Sequence, residues 1–318
     1  MFVIPKVGTL VGGVSYILLA LVLILLNLSV LAVILRFKEY ATATYRIIEN
    51  MCVACIFQLV VFFTGGLMTL CSSSFNKTFE GFFGALLQSS WLLYLSLNLT
   101  LAVDRMLTFL RCHLSNKIGY VFLGLSYLHF LGHFILLILP AFGYSYCVED
   151  HVLEKPLCFV WSFDFTKPTS KTLAAIEPWI LFVLETLIFA CYIVVLISIF
   201  MLRSRTNNNR QMLNVEIRIL MVSVISFVYE SALIIFLYWG SYLLPSDIGS
   251  LMAINVLWML DSGVFPIATV IINTSVRSKL ISMLLTRKRV TKVTTFHNSG
   301  ASTAGPKIII PAGVRAIA

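Results

Sequence analysis

Seven stretches of the chain are long, apolar and almost free of charge, and they leave few folds open to it. They run approximately Val11–Leu35, Ile47–Leu70, Gly84–Leu107, Ile118–Pro140, Ile176–Leu202, Ile217–Leu243 and Leu251–Asn273, with short polar segments between them. A helix needs about 20 mainly apolar residues to cross roughly 30 Å of hydrocarbon. No water reaches a backbone amide there, so each stretch must satisfy its own hydrogen bonds as a helix. A membrane barrel would instead show alternating runs of about ten residues, and the sequence has none. An ordinary soluble domain is excluded by a content that is 59% hydrophobic and only 12% charged. The expected fold is an all-α membrane protein, a seven-transmembrane helix bundle.

Basic residues set its orientation, because Lys and Arg accumulate on the cytoplasmic side of short loops. One side collects Arg36, Lys38, Arg46, Arg105, Arg111, Lys117, Arg203, Arg205, Arg210, Arg218 and eight more after residue 274, so 18 of the 23 basic residues. The other side holds Lys6, Lys77, Lys155, Lys167 and Lys171. The N-terminus is therefore expected outside and the tail inside. The net charge of +9 belongs to this topology rather than to a nucleic-acid surface. The first apolar run is too long for the core of a cleaved signal peptide and is followed by more positive charge than precedes it. It reads as a first span.

The segment before that span is about ten residues, so recognition of any ligand is expected to fall to the bundle and its outer loops. The longest outer connection, from Ala141 to Ala175, reads as a lid or as a hydrated loop. After the last span, Val276, Leu280, Ile281, Met283 and Leu284 share one face of Ser275–Leu285. That pattern predicts a short amphipathic helix on the inner membrane surface. The chain is thus expected to divide into a seven-span bundle, residues 1–285, and a basic, Ser/Thr-rich tail, residues 286–318, cytoplasmic and disordered.

Cys71, Cys147 and Cys158 face the outside, where disulfides persist. Being three, they form at most one bridge among themselves, and the partners stay open. Asn76-Lys77-Thr78 is an outward glycosylation sequon. No cluster predicts a metal site, and nothing calls for a cofactor.

Three landmarks fall in order along the spans. Asn27 lies in the first, followed by Leu28-Ser29-Val30 and a basic exit at Arg36. Leu101-Ala102-Val103-Asp104-Arg105-Met106 closes the third. The seventh has Pro266-Ile267-Ala268-Thr269, then Asn273 and Val276-Arg277. Together they resemble the rhodopsin-like G-protein-coupled receptor superfamily across nearly the whole chain. The motifs are relaxed: Met106 replaces a tyrosine, Phe265 and Thr269 replace polar residues, the sixth span lacks proline, and Cys55 stands where an acid is usual. Such relaxation, with Tyr45-Arg46-Ile47-Ile48 and the spacing Trp258–Gly263–Pro266, is most similar to nematode serpentine receptors of class T.

The resemblance implies a receptor that binds a small molecule in the outer half of the bundle and activates a heterotrimeric G protein. By the same resemblance Gln88, Trp91, Asn255 and Trp258 face the ligand. Asn27, Asp104, Arg105, Glu216, Asp261, Pro266 and Asn273 belong to an activation switch, in which Arg105 pairs with acids when closed and is released when the sixth helix moves. Against this stands the plain reading of Arg105 as a cation snorkelling at a span end. Glu185, Glu230, Asp261, His129 and His133 lie deep in spans, where an acid must be paired, hydrogen-bonded or protonated. They read as functional groups or as polar bridges between helices. Tyr238 and Trp239 read as pocket wall or interfacial belt.

The rival class is a seven-helix transporter or ligand-gated channel. It is disfavoured because the chain lacks internal repeats and paired broken helices. Retinal chemistry is excluded because Leu251–Asn273 contains no lysine for a Schiff base. No hydrolytic motif suggests an enzyme. The expected setting is the lipid bilayer of the plasma membrane, with the sensory cilia that serve olfaction one candidate location.

Overall fold

The computed structural model describes residues 7–71, 73, 75–112, 114–146, 160–205, 210–240, 243, 245 and 248–294. Eight helices appear among them: α1 (Val7–Arg36), α2 (Ala43–Cys71), α3 (Lys77–Phe109), α4 (Ser115–Ile138), α5 (Pro168–Arg205), α6 (Arg210–Ile235), α7 (Ile248–Ile272) and α8 (Thr274–Thr294). The first seven are long and apolar enough to cross a membrane. Each begins or ends beyond its apolar run, because hydropathy marks the hydrocarbon whereas hydrogen bonding carries the helix into the headgroups. The widest gap is at α5. It starts at Pro168, inside the stretch read as loop, with proline in the first turn where its missing N–H is no loss.

The bundle is arranged around α3. In its membrane window 78% of residues are buried, against 11% in α4, which therefore lies at the lipid-facing edge. The ends of α3 show how local chemistry defines it. Asn76 caps the start, its Oδ1 accepting from the Thr78 amide at 3.0 Å. At the other end Arg111 adopts φ 56°, and the amides of Arg111 and Cys112 return to the carbonyls of Thr108 and Leu107 at 3.1 and 2.9 Å. This closes the helix with a left-handed residue, a place usually taken by glycine.

Two prolines and a widened turn shape the other helices. Pro178 sits inside α5 and Pro266 inside α7. Neither can donate to the carbonyl four residues earlier, so each frees an acceptor within its helix. The outer end of α6 widens into a π-turn over Phe236–Gly240, a geometry that often accompanies functional sites. α1 and α2 approach closely at Gly13 and Gly66, where a Cβ on either would lie 3.0 Å from the carbonyl oxygen of the other.

Outside the membrane, the two ends of the long loop pair as a short antiparallel hairpin, β1 (Tyr144–Ser145) with β2 (Ser162–Phe163). Tyr144, Tyr146 and Trp161 are buried. Tyr146 shares a 2.7 Å hydrogen bond with Thr69 of α2, and its amide donates to Glu80 of α3 at 2.7 Å. The hairpin can lie this low because Gly84 has no side chain: a Cβ there would stand 2.1 Å from the Tyr144 carbonyl oxygen. Gly84→Ala is expected to lift the hairpin and destabilise the protein by about 2 kcal/mol, the range for overpacking a tight contact. A melting temperature within about a degree of wild type would contradict the contact.

On the inner side the chain turns a corner at the end of α7. Asn273 interrupts the helix and its Oδ1 accepts from the Val276 amide at 3.4 Å, opening α8. A 3₁₀ turn, Lys38–Tyr40, packs beneath it: Tyr40 shares a 2.9 Å hydrogen bond with Ser275, and Lys279 pairs with Glu39 at 3.4 Å and lies 4.6 Å over the Phe37 ring. α8 runs to Thr294, so the helix expected to end at Leu285 continues into the stretch expected to be disordered. In the continuation Arg287, Lys288, Arg289 and Lys292 favour helix, while the Thr and Val between them favour it less.

Candidate functional site

Polar residues in a bundle this apolar are the exceptions, and they gather at three depths. At the inner end Arg105 is buried, only 2% exposed. Its guanidinium donates to Asp104 Oδ2 at 2.6 Å, to Glu216 Oε2 on α6 and to Thr44 Oγ1 on α2. Thr44 donates onward to Asp104 Oδ2 at 2.8 Å, and Ser115 of α4 approaches Asp104 Oδ1 at 3.4 Å. One fork-shaped cation thus ties α3 to α2 and α6. A planar guanidinium with several donors can do this where a lysine's single ammonium could not. At this depth Arg105 is not a cation reaching out to water, and Glu216 is one of its three partners. Sequence pattern does not single out Thr44; its one signal is a hydroxyl at the inner end of a span, level with a buried charge.

At mid-depth the seventh-helix proline explains Asn27. Pro266 leaves the Ser262 carbonyl without its helical donor, and Asn27 Nδ2 fills the gap at 3.1 Å while also donating to Leu23 O at 3.0 Å. The Ser262 hydroxyl in turn donates to Gln58 at 3.3 Å. Asp261, next along α7, is fully buried and neither carboxylate oxygen has a partner among the described residues. Glu230 accepts from Asn98 of α3 and Glu185 from Ser231 of α6, while Tyr94 and Ser226 share a 2.7 Å bond. These groups bridge α3, α5 and α6. His129 bonds Ser96 at 2.9 Å, whereas His133 Nε2 is buried without a partner among the described residues.

The outer half is aromatic. Trp91 of α3 and Trp258 of α7 meet edge to face, centroids 5.3 Å apart, and Phe62 of α2 meets Trp258 at 5.7 Å. Both indole N–H groups are buried without a partner among the described residues. Asn255, one turn outward on α7, donates to the Tyr16 hydroxyl at 3.1 Å. Gln88, one turn outward on α3, donates from Nε2 to Glu177 Oε1 at 2.7 Å, and Tyr238 of the α6 π-turn donates to the same oxygen. The four residues expected to face a ligand therefore all lie in this layer, Gln88 and Trp91 on one face of α3. Tyr238 is half-buried against Glu177, while Trp239 is about half exposed. Burial raises the Tyr144 phenol of the hairpin well above its ordinary range, with the Glu177 charge adding to it. Glu177 is a site residue that motif and span reading pass over; its one signal is an acid beside proline inside an apolar run.

Outside, Cys71 is exposed at the end of α2, with no disulfide partner among the described residues. Cys147 and Cys158 lie outside the described residues. Asn76 is exposed at the start of α3. On the inner face Arg111 and Arg277 are exposed, Arg277 donating to Ile271 O at 2.9 Å. Among the described residues no group of His, Cys, Asp and Glu could hold a metal ion.

Residues 5–293 match the family described as serpentine type 7TM GPCR chemoreceptor Srt. The fold is similar to that in the crystal structure of squid rhodopsin, with a TM-score of 0.68 over 94% of this chain and 89% of that one, at 14% identity. No curated protein matches the chain.

Proposed function

Because the chain belongs to the Srt family of serpentine seven-helix chemoreceptors, we propose that it binds a small molecule in the outer aromatic layer and activates a heterotrimeric G protein at its inner face. The observation that carries this reading is the buried guanidinium of Arg105, bonded across the bundle to Glu216 on α6. An ion pair that spans two helices at the cytoplasmic end has two discrete states, made and broken, and any ligand that prefers one shifts the balance. Outward movement of α6 separates Glu216 from Arg105 and exposes the cation beside Arg111 and Arg277. A G protein binds that opened face. The ligand acts from the other end of the same helix, through Tyr238.

Asp104 and Thr44 hold Arg105 in the resting state, and Asn27, Pro266 and Asn273 keep α7 and α8 in register with α1. Asp261, whose oxygens have no partner among the described residues, serves as a polar group that gains one when the helices shift. The plasma membrane of a sensory cell, its cilia included, is the setting such a receptor requires. Catalysis of covalent chemistry is not part of this function, nor is a cofactor.

The test uses membranes containing the full chain and a panel of Gα subunits, challenged with volatile, water-soluble and lipid-like compounds. At least one compound is expected to drive nucleotide exchange that is absent from membranes lacking the chain. Compound-evoked current or solute uptake without any exchange would replace the receptor with the channel or transporter reading.

A further inference from the structure

The outer site is built around an acid without a countercharge. Glu177 is 2% exposed and accepts two hydrogen bonds, both on Oε1 and both from neutral donors, Gln88 and Tyr238. Its Oε2 is buried and bonded to nothing among the described residues, and so is Gln88 Oε1. No basic side chain among the described residues reaches them. Of the basic groups on this side, Lys167 is held by the Phe142 carbonyl at 2.5 Å and lies 3.9 Å from Asp164, while Lys77 and Lys171 are exposed. A buried carboxylate left like this is costly unless something positive or strongly donating completes it.

The surroundings suit a cation. One turn inward from Gln88, Trp91 and Trp258 present a wall of indole, and Tyr238 bonds the acid itself. Aromatic faces attract cations, most strongly where water is excluded. An anionic ligand would meet an acid, an amide oxygen and ring faces, all of which repel it. Pro178 immediately follows Glu177, and the π-turn carries Tyr238, so both helices depart from regular geometry at the residues that meet here.

We infer that the ligand of the outer site carries a protonated amine, seated between Glu177 Oε2 and Gln88 Oε1 with its apolar part against Trp91 and Trp258. This deepens the proposed function and rests on its outer site, though not on coupling to a G protein. The bland reading is that Glu177 is only a bolt joining α3, α5 and α6; a bolt has no preference for charge.

Leu181 lies one turn along α5 from Glu177 and is fully buried. In membranes holding the full chain, Leu181→Cys is labelled with an aminoethyl methanethiosulfonate, a cation, and with its neutral hydroxyethyl analogue. Labelling is counted above that of the parent chain, whose Cys71 is exposed. The ratio of cation to neutral rate is expected to fall about tenfold when Glu177→Gln is added, the effect of losing one nearby charge, and to recover in part in Glu177→Asp. Phenethylamine should protect the new cysteine and 2-phenylethanol should not. A ratio unchanged by Glu177→Gln, equal protection by amine and alcohol, or no labelling by either reagent would each overturn the inference. Since no G protein takes part, these outcomes leave the receptor reading to be judged by nucleotide exchange alone.

Discussion

Glu216→Gln is expected to raise ligand-free nucleotide exchange about tenfold, and Arg105→Ala to abolish the response to any ligand that activates the wild type. The two variants act on one contact from opposite sides. A hydrogen bond between charged groups contributes about 1.5–3 kcal/mol. Glu216 is 35% exposed, so solvent screens part of it. Taking about 1.4 kcal/mol as what holds α6 closed gives the roughly tenfold rise. Arg105→Ala removes the cation altogether and leaves Asp104 buried without it, which costs about 3–5 kcal/mol. Exchange must therefore be compared at matched surface expression, and Arg105→Gln, which keeps hydrogen-bond donors, serves as the better-folded companion. Basal exchange in Glu216→Gln equal to wild type would mean that the α3–α6 pair does not hold the resting state.

Asn27→Ala should destabilise the protein by about 3 kcal/mol, combining a cavity with a buried carbonyl left unsatisfied. The same change should be much milder when Pro266→Ala is also present. The reason is specific: an alanine at that position has the N–H that proline lacks, so it can bond the Ser262 carbonyl that Asn27 serves at 3.1 Å in the wild type. A double-mutant cycle on thermal stability measures the coupling, expected at about 1–2 kcal/mol. Strictly additive effects would show that Asn27 and Pro266 are unrelated, whatever their shared geometry. The sign matters as much as the size, because proline replacement alone often straightens a helix and changes its packing.

How legible each feature is from the chain depends on how local its information is. Asn27, Arg105 and Pro266 stand out because polar groups and prolines in apolar spans are rare, and their order along the chain matches a known pattern. That Asn27 and Pro266 form one device is hidden, since the residue that joins them, Ser262, contributes only a backbone carbonyl. Glu177 shows the opposite failure. Its side chain is visible in the sequence, yet its meeting with Gln88 and Tyr238 depends on how three helices are rotated about their axes. Thr44 likewise becomes part of the Arg105 site only because α2 begins beside the end of α3. The helical run past Leu285 is obscured because charge density suggests disorder and Thr and Val are weak helix formers, although the Lys and Arg among them favour helix.

Seven spans, their orientation and the places where polar groups enter the membrane follow from the primary structure alone, because hydrocarbon thickness and the distribution of Lys and Arg act on each segment separately. Which polar groups meet is a property of the packed bundle: Arg105 has three partners, Asp261 has none among the described residues, and Glu177 keeps one oxygen open. Helix rotation and spacing settle those meetings. They follow from close packing, such as α1 against α2 at Gly13 and Gly66 and the hairpin on Gly84, which no single segment encodes.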